Sequence, residues 1–546
     1  MKLDCLLRFP VVLILSSLTA CGGGGEAIDL AETCSLGANP AITVQGEITF
    51  DRIALLNSGA LDFNNISQQP AKNIIVEAVC GSETISALTD DNGQYILSIP
   101  SGTKGIFVRA KAQMIKIGIP SWQVTVTDDS QAGELVFALD SRRFNVNATA
   151  VTKNLHAPSG FDGVGYSATS VRSAAPFAIL DTIYKSMQLV LSAQPNAVFP
   201  ALDVKWSPTN EDGSYYSNYQ INVLGSTIDT DEFDEHVIAH EWGHYFQDAF
   251  SRDNSVGGFH VPGDILDIRV AFSEGFGNAF SAMVTGDPVY KDSQDMTSGF
   301  SIDVETNSCA NKGWYSECSV QSVLYDFFDD INEANDVFSL GFDGIHEAMT
   351  SNIPVSNSLT SLFSFINPFK NLSTVASGDV DALLAVQLIG SITDDFATGV
   401  SSGAYITGTT DVLPLYDTRA FPLTNICSTG DNASDNFDLD YVYGLGVSRF
   451  IRFTAPSTGN FEFTASWTSG LSTSDPDMNL YRNGAMLGYG KSIVNKSETF
   501  SAGLTAGNEY VLEVLEYTYI DRDIIYDRSA TGAINKTCFT VSRTQI

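Results

Sequence analysis

The spacing of apolar residues changes twice along this chain, and each change restricts the fold on either side of it. From about Val44 to Ala148, short runs such as Ile74-Ile75-Val76-Glu77-Ala78-Val79 and Tyr95-Ile96-Leu97-Ser98-Ile99 lie between turn residues. Successive side chains on a strand point to opposite faces, so this alternation reads as a small β-sandwich. Between about 150 and 410 the apolar residues recur three and four apart, notably in 231–250, 270–285 and 318–331, the pattern of helices with one buried face. After about Leu413 the alternation returns in Ser448-Arg449-Phe450-Ile451-Arg452-Phe453 and Glu509-Tyr510-Val511-Leu512-Glu513-Val514. A chain of 546 residues also exceeds what one hydrophobic core supports. The expected fold class is multidomain: an α+β domain at 150–411, largely helical, between all-β sandwiches at 41–149 and 412–546.

Ahead of the first sandwich, Lys2 and Arg8 precede an apolar run from Phe9 to Leu15, too short to span a bilayer as a helix. Residues 1–20 are read as an export signal. Leu18-Thr19-Ala20-Cys21 resembles a bacterial lipobox, which implies a diacylglyceryl group on Cys21. With Gly22 rather than an aspartate after it, the resemblance implies an outer-membrane lipoprotein, facing the periplasm or the cell surface. A flexible tether is expected over 21–40, and membrane contact only through the lipid anchor. Export permits disulfides. Setting Cys5 and Cys21 aside leaves Cys34, Cys80, Cys309, Cys318, Cys427 and Cys538. Of the 15 connectivities open to six cysteines, the domain limits make 34–80, 309–318 and 427–538 the economical choice.

Composition narrows the partners. Apolar residues make up 44% and charged residues 17%, enough to build cores and too little charge for general disorder. The 64 Asp and Glu against 29 Lys and Arg give a net charge of −35, which repels phosphate backbones. Nucleic acid is excluded as an expected partner.

The chemistry is concentrated in Val237-Ile238-Ala239-His240-Glu241-Trp242-Gly243-His244-Tyr245-Phe246. On a helix His240 and His244 project from one face and can both reach one zinc ion, while Glu241 can reach a water on that ion as general base. Three of the six histidines, His236, His240 and His244, fall within nine residues. The acidic run Asp229 to Glu235 reads as helix-start residues facing the positive end of the dipole. Catalytic zinc needs a third protein ligand and an open position. Gln247 and Phe250 stand where a metzincin would carry glycine and histidine.

His240-Glu241-Trp242-Gly243-His244 followed by Ser273-Glu274-Gly275-Phe276-Gly277-Asn278-Ala279-Phe280 resembles the gluzincins, the thermolysin-like and fungalysin-like zinc metallopeptidases, over roughly 100 residues. That resemblance implies Glu274 as third zinc ligand, Glu241 as base, and a peptide or protein substrate. It also marks a departure: Asn278 stands where those enzymes carry an aspartate that orients a zinc histidine, so an amide takes that task. Oxyanion donors in such enzymes are Tyr or His from downstream, which makes Tyr315, Tyr325 and His346 candidates. Thr89-Asp90-Asp91-Asn92-Gly93-Gln94-Tyr95 resembles the carboxypeptidase-regulatory-like, transthyretin-like domain. Asp475-Pro476-Asp477-Met478-Asn479-Leu480-Tyr481 resembles the pre-peptidase C-terminal domain, whose aspartates can hold calcium. The expected activity is zinc-dependent peptide-bond hydrolysis on an exported protein, with substrate lying along an edge strand at Tyr215 to Leu224. The alternative class is a lipid-anchored surface binding protein or adhesin with an inactive peptidase-like domain.

Overall fold

The structure, a computed structural model, describes residues 34–130, 133–147, 149–167, 170–227, 229–295, 297–330, 337–400, 412–430, 443–493, 496–520 and 536–546. The expected export signal and Cys21 lie outside these residues. Two compact units separate. One takes in residues up to 52, 68–113 and 136–177; the other takes in 53–67, 114–135 and 178–546.

In the first unit the alternating runs are strands: β1 (Ala41–Leu55), β2 (Ile74–Cys80), β3 (Glu83–Leu88), β4 (Gln94–Pro100) and β5 (Phe107–Lys116). β4 buries Tyr95, Leu97 and Ile99 and turns Gln94, Ile96 and Ser98 outward. β1 pairs antiparallel with β4 and parallel with Val151–Thr152 and Leu155–Ala157. A second set runs in the order β3-β2-β5. Between β3 and β4, Asp90 accepts from the N–H groups of Asn92 and Gln94 at 2.9 and 2.8 Å, and Gly93 takes φ +74°, which glycine adopts without steric cost. The Cys34–Cys80 disulfide and a Ser35–Lys104 bridge already tie the chain down at Cys34. The tether expected over 21–40 therefore ends there.

The second unit opens with a small parallel sheet. β6 (Trp122–Asp128), β7 (Leu202–Trp206) and β9 (Gln220–Val223) run parallel, and β8 (Tyr215–Ser217) lies antiparallel on the outer side of β9. Its helices include α1 (Ala175–Ala193), α2 (Glu235–Phe250), α3 (Ile268–Thr285) and α4 (Glu317–Phe328), with a hairpin β10 (Val289–Ser293) and β11 (Gly299–Asp303) after α3. Aromatic stacking packs α2 on α3: Trp242 on Phe280 at 5.5 Å and Phe246 on Phe276 at 5.9 Å between centroids. Two glycines let the helices close. A Cβ on Gly275 would lie 2.6 Å from Val320 of α4, and one on Gly277 would lie 2.8 Å from the His240 ring.

Beyond 412 the unit ends in two facing sheets. The strands are β12 (Leu423–Thr429), β13 (Ser448–Thr454), β14 (Gly459–Ser469), β15 (Pro476–Arg482), β16 (Ala485–Gly490), β17 (Ser497–Leu504), β18 (Glu509–Glu516) and β19 (Lys536–Gln545). Their orders are β13-β18-β15-β16 and β12-β19-β14-β17, closed over Phe463, Leu480, Leu512 and Phe539. Cys427–Cys538 joins β12 to β19, and Cys309–Cys318 closes the turn into α4, so all three economical pairs form.

This C-terminal sandwich grips the start of α3. Asp267 caps the helix by accepting from the Arg269 N–H at 2.9 Å, and its backbone N–H donates to the Tyr443 carbonyl at 2.9 Å. The Arg269 guanidinium is fully buried between Asp267 at 2.9 Å and Glu513 of β18 at 2.7 Å. Glu513 also accepts from Ser448, Asn479 and Tyr481. Burial would raise the Glu513 carboxyl, but Arg269 holds it down at about 2. No helix among the described residues is long and apolar enough to cross a membrane.

Candidate metal centre

One turn of α2 and one turn of α3 bring three ligand atoms together. His240 Nε2 lies 3.0 Å from His244 Nε2 and 3.2 Å from Glu274 Oε2, and His244 Nε2 lies 3.4 Å from the same oxygen. A tetrahedral zinc ion bound at 2.0–2.1 Å requires donors about 3.3 Å apart. Two imidazole nitrogens and one carboxylate oxygen are a catalytic zinc donor set, so these residues fit that ion.

Their outward faces are fixed by partners. His240 Nδ1 meets Asn278 Oδ1 at 2.9 Å, while Asn278 Nδ2 donates to Gln321 Oε1 at 2.9 Å. That orientation makes Nδ1 the protonated nitrogen and leaves Nε2 for a metal. His244 Nδ1 meets Ser273 Oγ at 3.1 Å, and Ser273 Oγ donates to Asp253 at 3.3 Å. A serine thus relays the half-buried Asp253 carboxylate to His244.

Glu241 is half-buried on α2, and no described side chain hydrogen-bonds its carboxylate. Its carboxylate is left open to a reactant.

The electrostatics of the array already call for positive charge. Burial alone would raise the Glu274 carboxyl, but His260 and His244 hold it well below its ordinary value. Burial pulls the His244 imidazole down, yet the adjacent Glu274 more than offsets this and lifts it to about 9.

His260 was not legible from the sequence. It lies in the segment between α2 and α3, with Nε2 3.1 Å from Glu274 Oε2 and Nδ1 2.8 Å from Glu317 Oε2. Tyr290 of β10 is a second unpredicted neighbour, its ring centroid 6.2 Å from that of His240. The expected donors go elsewhere. The Tyr315 hydroxyl donates to the Lys312 carbonyl at 2.7 Å, and Tyr325 is buried against Phe328. His346 packs on Phe246 and Phe342 and meets Gln194 at 3.2 Å. Phe246 follows His244 by two residues and so faces the other side of α2, which separates His346 from the ligands. His236 is buried rather than solvated, against the Asp287 carbonyl and Thr285 at 3.1 Å each, and burial lowers its pKa. Asp475 and Asp477, read as able to hold calcium, stand before and within β15, where burial lifts the Asp477 carboxyl to about 7.

Residues 191–379, which contain the whole cluster, match the Mycolysin C-terminal domain family. This central part of the chain is a peptidase-associated domain. Among curated proteins none matches the chain. Among solved structures, the pre-peptidase C-terminal domain of a Bacillus anthracis collagenase is 12% identical, covering 24% of this chain and 94% of its own, at a TM-score of 0.15. PliG from Aeromonas hydrophila, a periplasmic inhibitor of g-type lysozyme, is 12% identical, covering 18% and 76%, at a TM-score of 0.12. Neither score reaches the level at which whole folds are alike.

Proposed function

We propose that this chain is an exported zinc metallopeptidase of the gluzincin type that hydrolyses internal peptide bonds of a peptide or protein substrate. The observation that carries this reading is the convergence of His240 Nε2, His244 Nε2 and Glu274 Oε2 at 3.0–3.4 Å, beside an unpaired Glu241. The peptidase-associated domain at 191–379 supports it. The export signal and the lipid on Cys21, outside the described residues, remain part of this proposal and account for how the protein would be held at a membrane.

His240, His244 and Glu274 would hold the zinc, which when bound acidifies water and polarises a carbonyl oxygen. Glu241 accepts the proton of the attacking water and returns it to the leaving amine. His260, oriented by Glu317, donates from Nε2 to the carbonyl oxygen as negative charge develops there, in place of Tyr315, Tyr325 or His346. β8 presents its outer edge next to α2, to which it is tied by the Tyr216 hydroxyl donating to Asp248 at 2.6 Å. An extended peptide can pair along that edge through its main chain.

The test is zinc content and casein cleavage for residues 22–546, wild type beside Glu241→Gln. One zinc per chain in both, with cleavage only by the wild type, is expected. A chain that takes up no zinc overturns the proposal and returns the protein to the surface-binding class.

A further inference from the structure

The C-terminal sandwich reaches towards the metal centre by a second route, through the turn between β15 and β16. Arg482 and Ala485 pair across that hairpin, which leaves Asn483 and Gly484 as its two turn residues, at φ +49° and +67°. Asn-Gly is the pair that such a tight turn favours, and its two central carbonyls take no part in the strand ladder. Here both are engaged by another part of the chain. The Asn483 carbonyl accepts from Arg252 Nη1 at 2.7 Å, and the Gly484 carbonyl accepts from Asn254 Nδ2 at 2.8 Å across 230 residues of sequence. Arg252 and Asn254 stand on either side of Asp253, the carboxylate that Ser273 links to His244. We propose that the Asn483-Gly484 turn positions Asp253, and through it the His244 imidazole, so that the sandwich forms part of the support of the metal centre. The inference rests on the reading of His244 as a zinc ligand.

The contacts leave Asp253 little play. Arg252 also donates from Nη1 to the Ser356 carbonyl at 2.8 Å and from Nη2 to the Ser358 carbonyl at 2.6 Å, and a planar guanidinium with three such acceptors is fixed in direction as well as place. Asn254 is held on its other side, where its Oδ1 accepts from the Thr360 N–H at 3.0 Å, and the Thr360 hydroxyl donates to the Arg252 carbonyl at 3.0 Å. Segment 252–254 is therefore clamped between the turn and the loop 356–360. Within the clamp, Asp253 Oδ1 accepts from the Ser255 N–H at 2.8 Å, which leaves Oδ2 for Ser273 at 3.3 Å. That last bond is already long for a hydroxyl donor, so a small shift of Asp253 breaks it. The turn can approach this closely only without a side chain: a Cβ on Gly484 would lie 2.3 Å from Arg252 Nε.

The experiment is zinc affinity of the full chain, read by chelator competition, in a double-mutant cycle. Gly484→Asn keeps a residue that tolerates positive φ but sets a Cβ against Arg252, and Asn254→Ala removes the bond to the Gly484 carbonyl. Each is expected to weaken zinc binding about 3–10-fold, less than the roughly 10–100-fold that follows loss of a direct partner of a ligand histidine. In a Ser273→Ala chain the link to His244 is gone, so adding either substitution should leave zinc affinity where Ser273→Ala alone puts it; a merely structural effect would persist there. Phe539→Leu, in the sandwich core on the strand β19, should lower the unfolding temperature and keep wild-type zinc affinity. Wild-type affinity in Gly484→Asn and Asn254→Ala, an undiminished loss in the Ser273→Ala chain, or an equal loss in Phe539→Leu would overturn the proposal while the zinc site stands. A wild type that binds no zinc would overturn both.

Discussion

Replacing Glu513 by glutamine tests whether the C-terminal sandwich holds the helix that carries Glu274. Glu513 is fully buried and is held at about 2 against an ordinary 4.5, chiefly by Arg269 working against burial. That difference corresponds to about 3 kcal/mol favouring the charged form in the folded state. The glutamine amide would keep bonds to Ser448, Asn479 and Tyr481 in some arrangement but would leave Arg269 with Asp267 alone. Losing one partner of a buried pair costs about 3–5 kcal/mol, so the two routes agree near the lower figure. The Tm of the full chain should fall by roughly 6–10 °C. The pH dependence fixes the cause. A carboxylate with a lowered pKa stabilises the fold above 4.5 and ceases to as pH falls towards about 2. The gap between wild type and variant in denaturant unfolding should therefore be full at neutral pH and shrink below 4.5. A variant within about 1 °C of the wild type, or a gap that does not narrow in acid, refutes the reasoning.

Gly277→Ala places a Cβ 2.8 Å from the His240 ring, so zinc affinity, read by chelator competition, should fall about 10–100-fold. His260→Gln should keep one zinc per chain while kcat on a fluorogenic peptide drops about 100-fold or more; loss of the metal instead would make His260 a structural support of Glu274. Replacing Cys309 and Cys318 by serine frees the turn into α4, so unfolding should come at a lower free energy by about 2–3 kcal/mol, with kcat reduced more than zinc content.

The proposed zinc ligands were readable to differing degrees for a geometric reason. His240 and His244 share one helix, so their separation follows from 3.6 residues per turn. Glu274 lies on another helix, and only the resemblance to gluzincins pointed to it. His260 sits in a segment without periodicity, and nothing local says that it folds back between Glu274 and Glu317. Asp229 to Glu235 read as helix-start acids facing the dipole; the burial of Asp231 and Asp234 depends in part on a hairpin formed about 60 residues later. The alternating runs of the flanking regions become strands, because a sheet's period is local. The edge strand read at Tyr215 to Leu224 is two strands, β8 and β9, paired antiparallel, and the parallel pairing of β6, β7 and β9 escaped notice because it joins distant segments.

Cys318 immediately follows Glu317, the carboxylate that orients His260. On the proposed reading, the bond to Cys309 therefore links the active-site geometry to the place where the chain folds. On the same reading, the turn carrying Glu317 has no covalent closure in a reducing compartment, and the orientation of His260 is pinned only once that bond forms. The proposed peptidase would then gain its full competence only after leaving a reducing compartment.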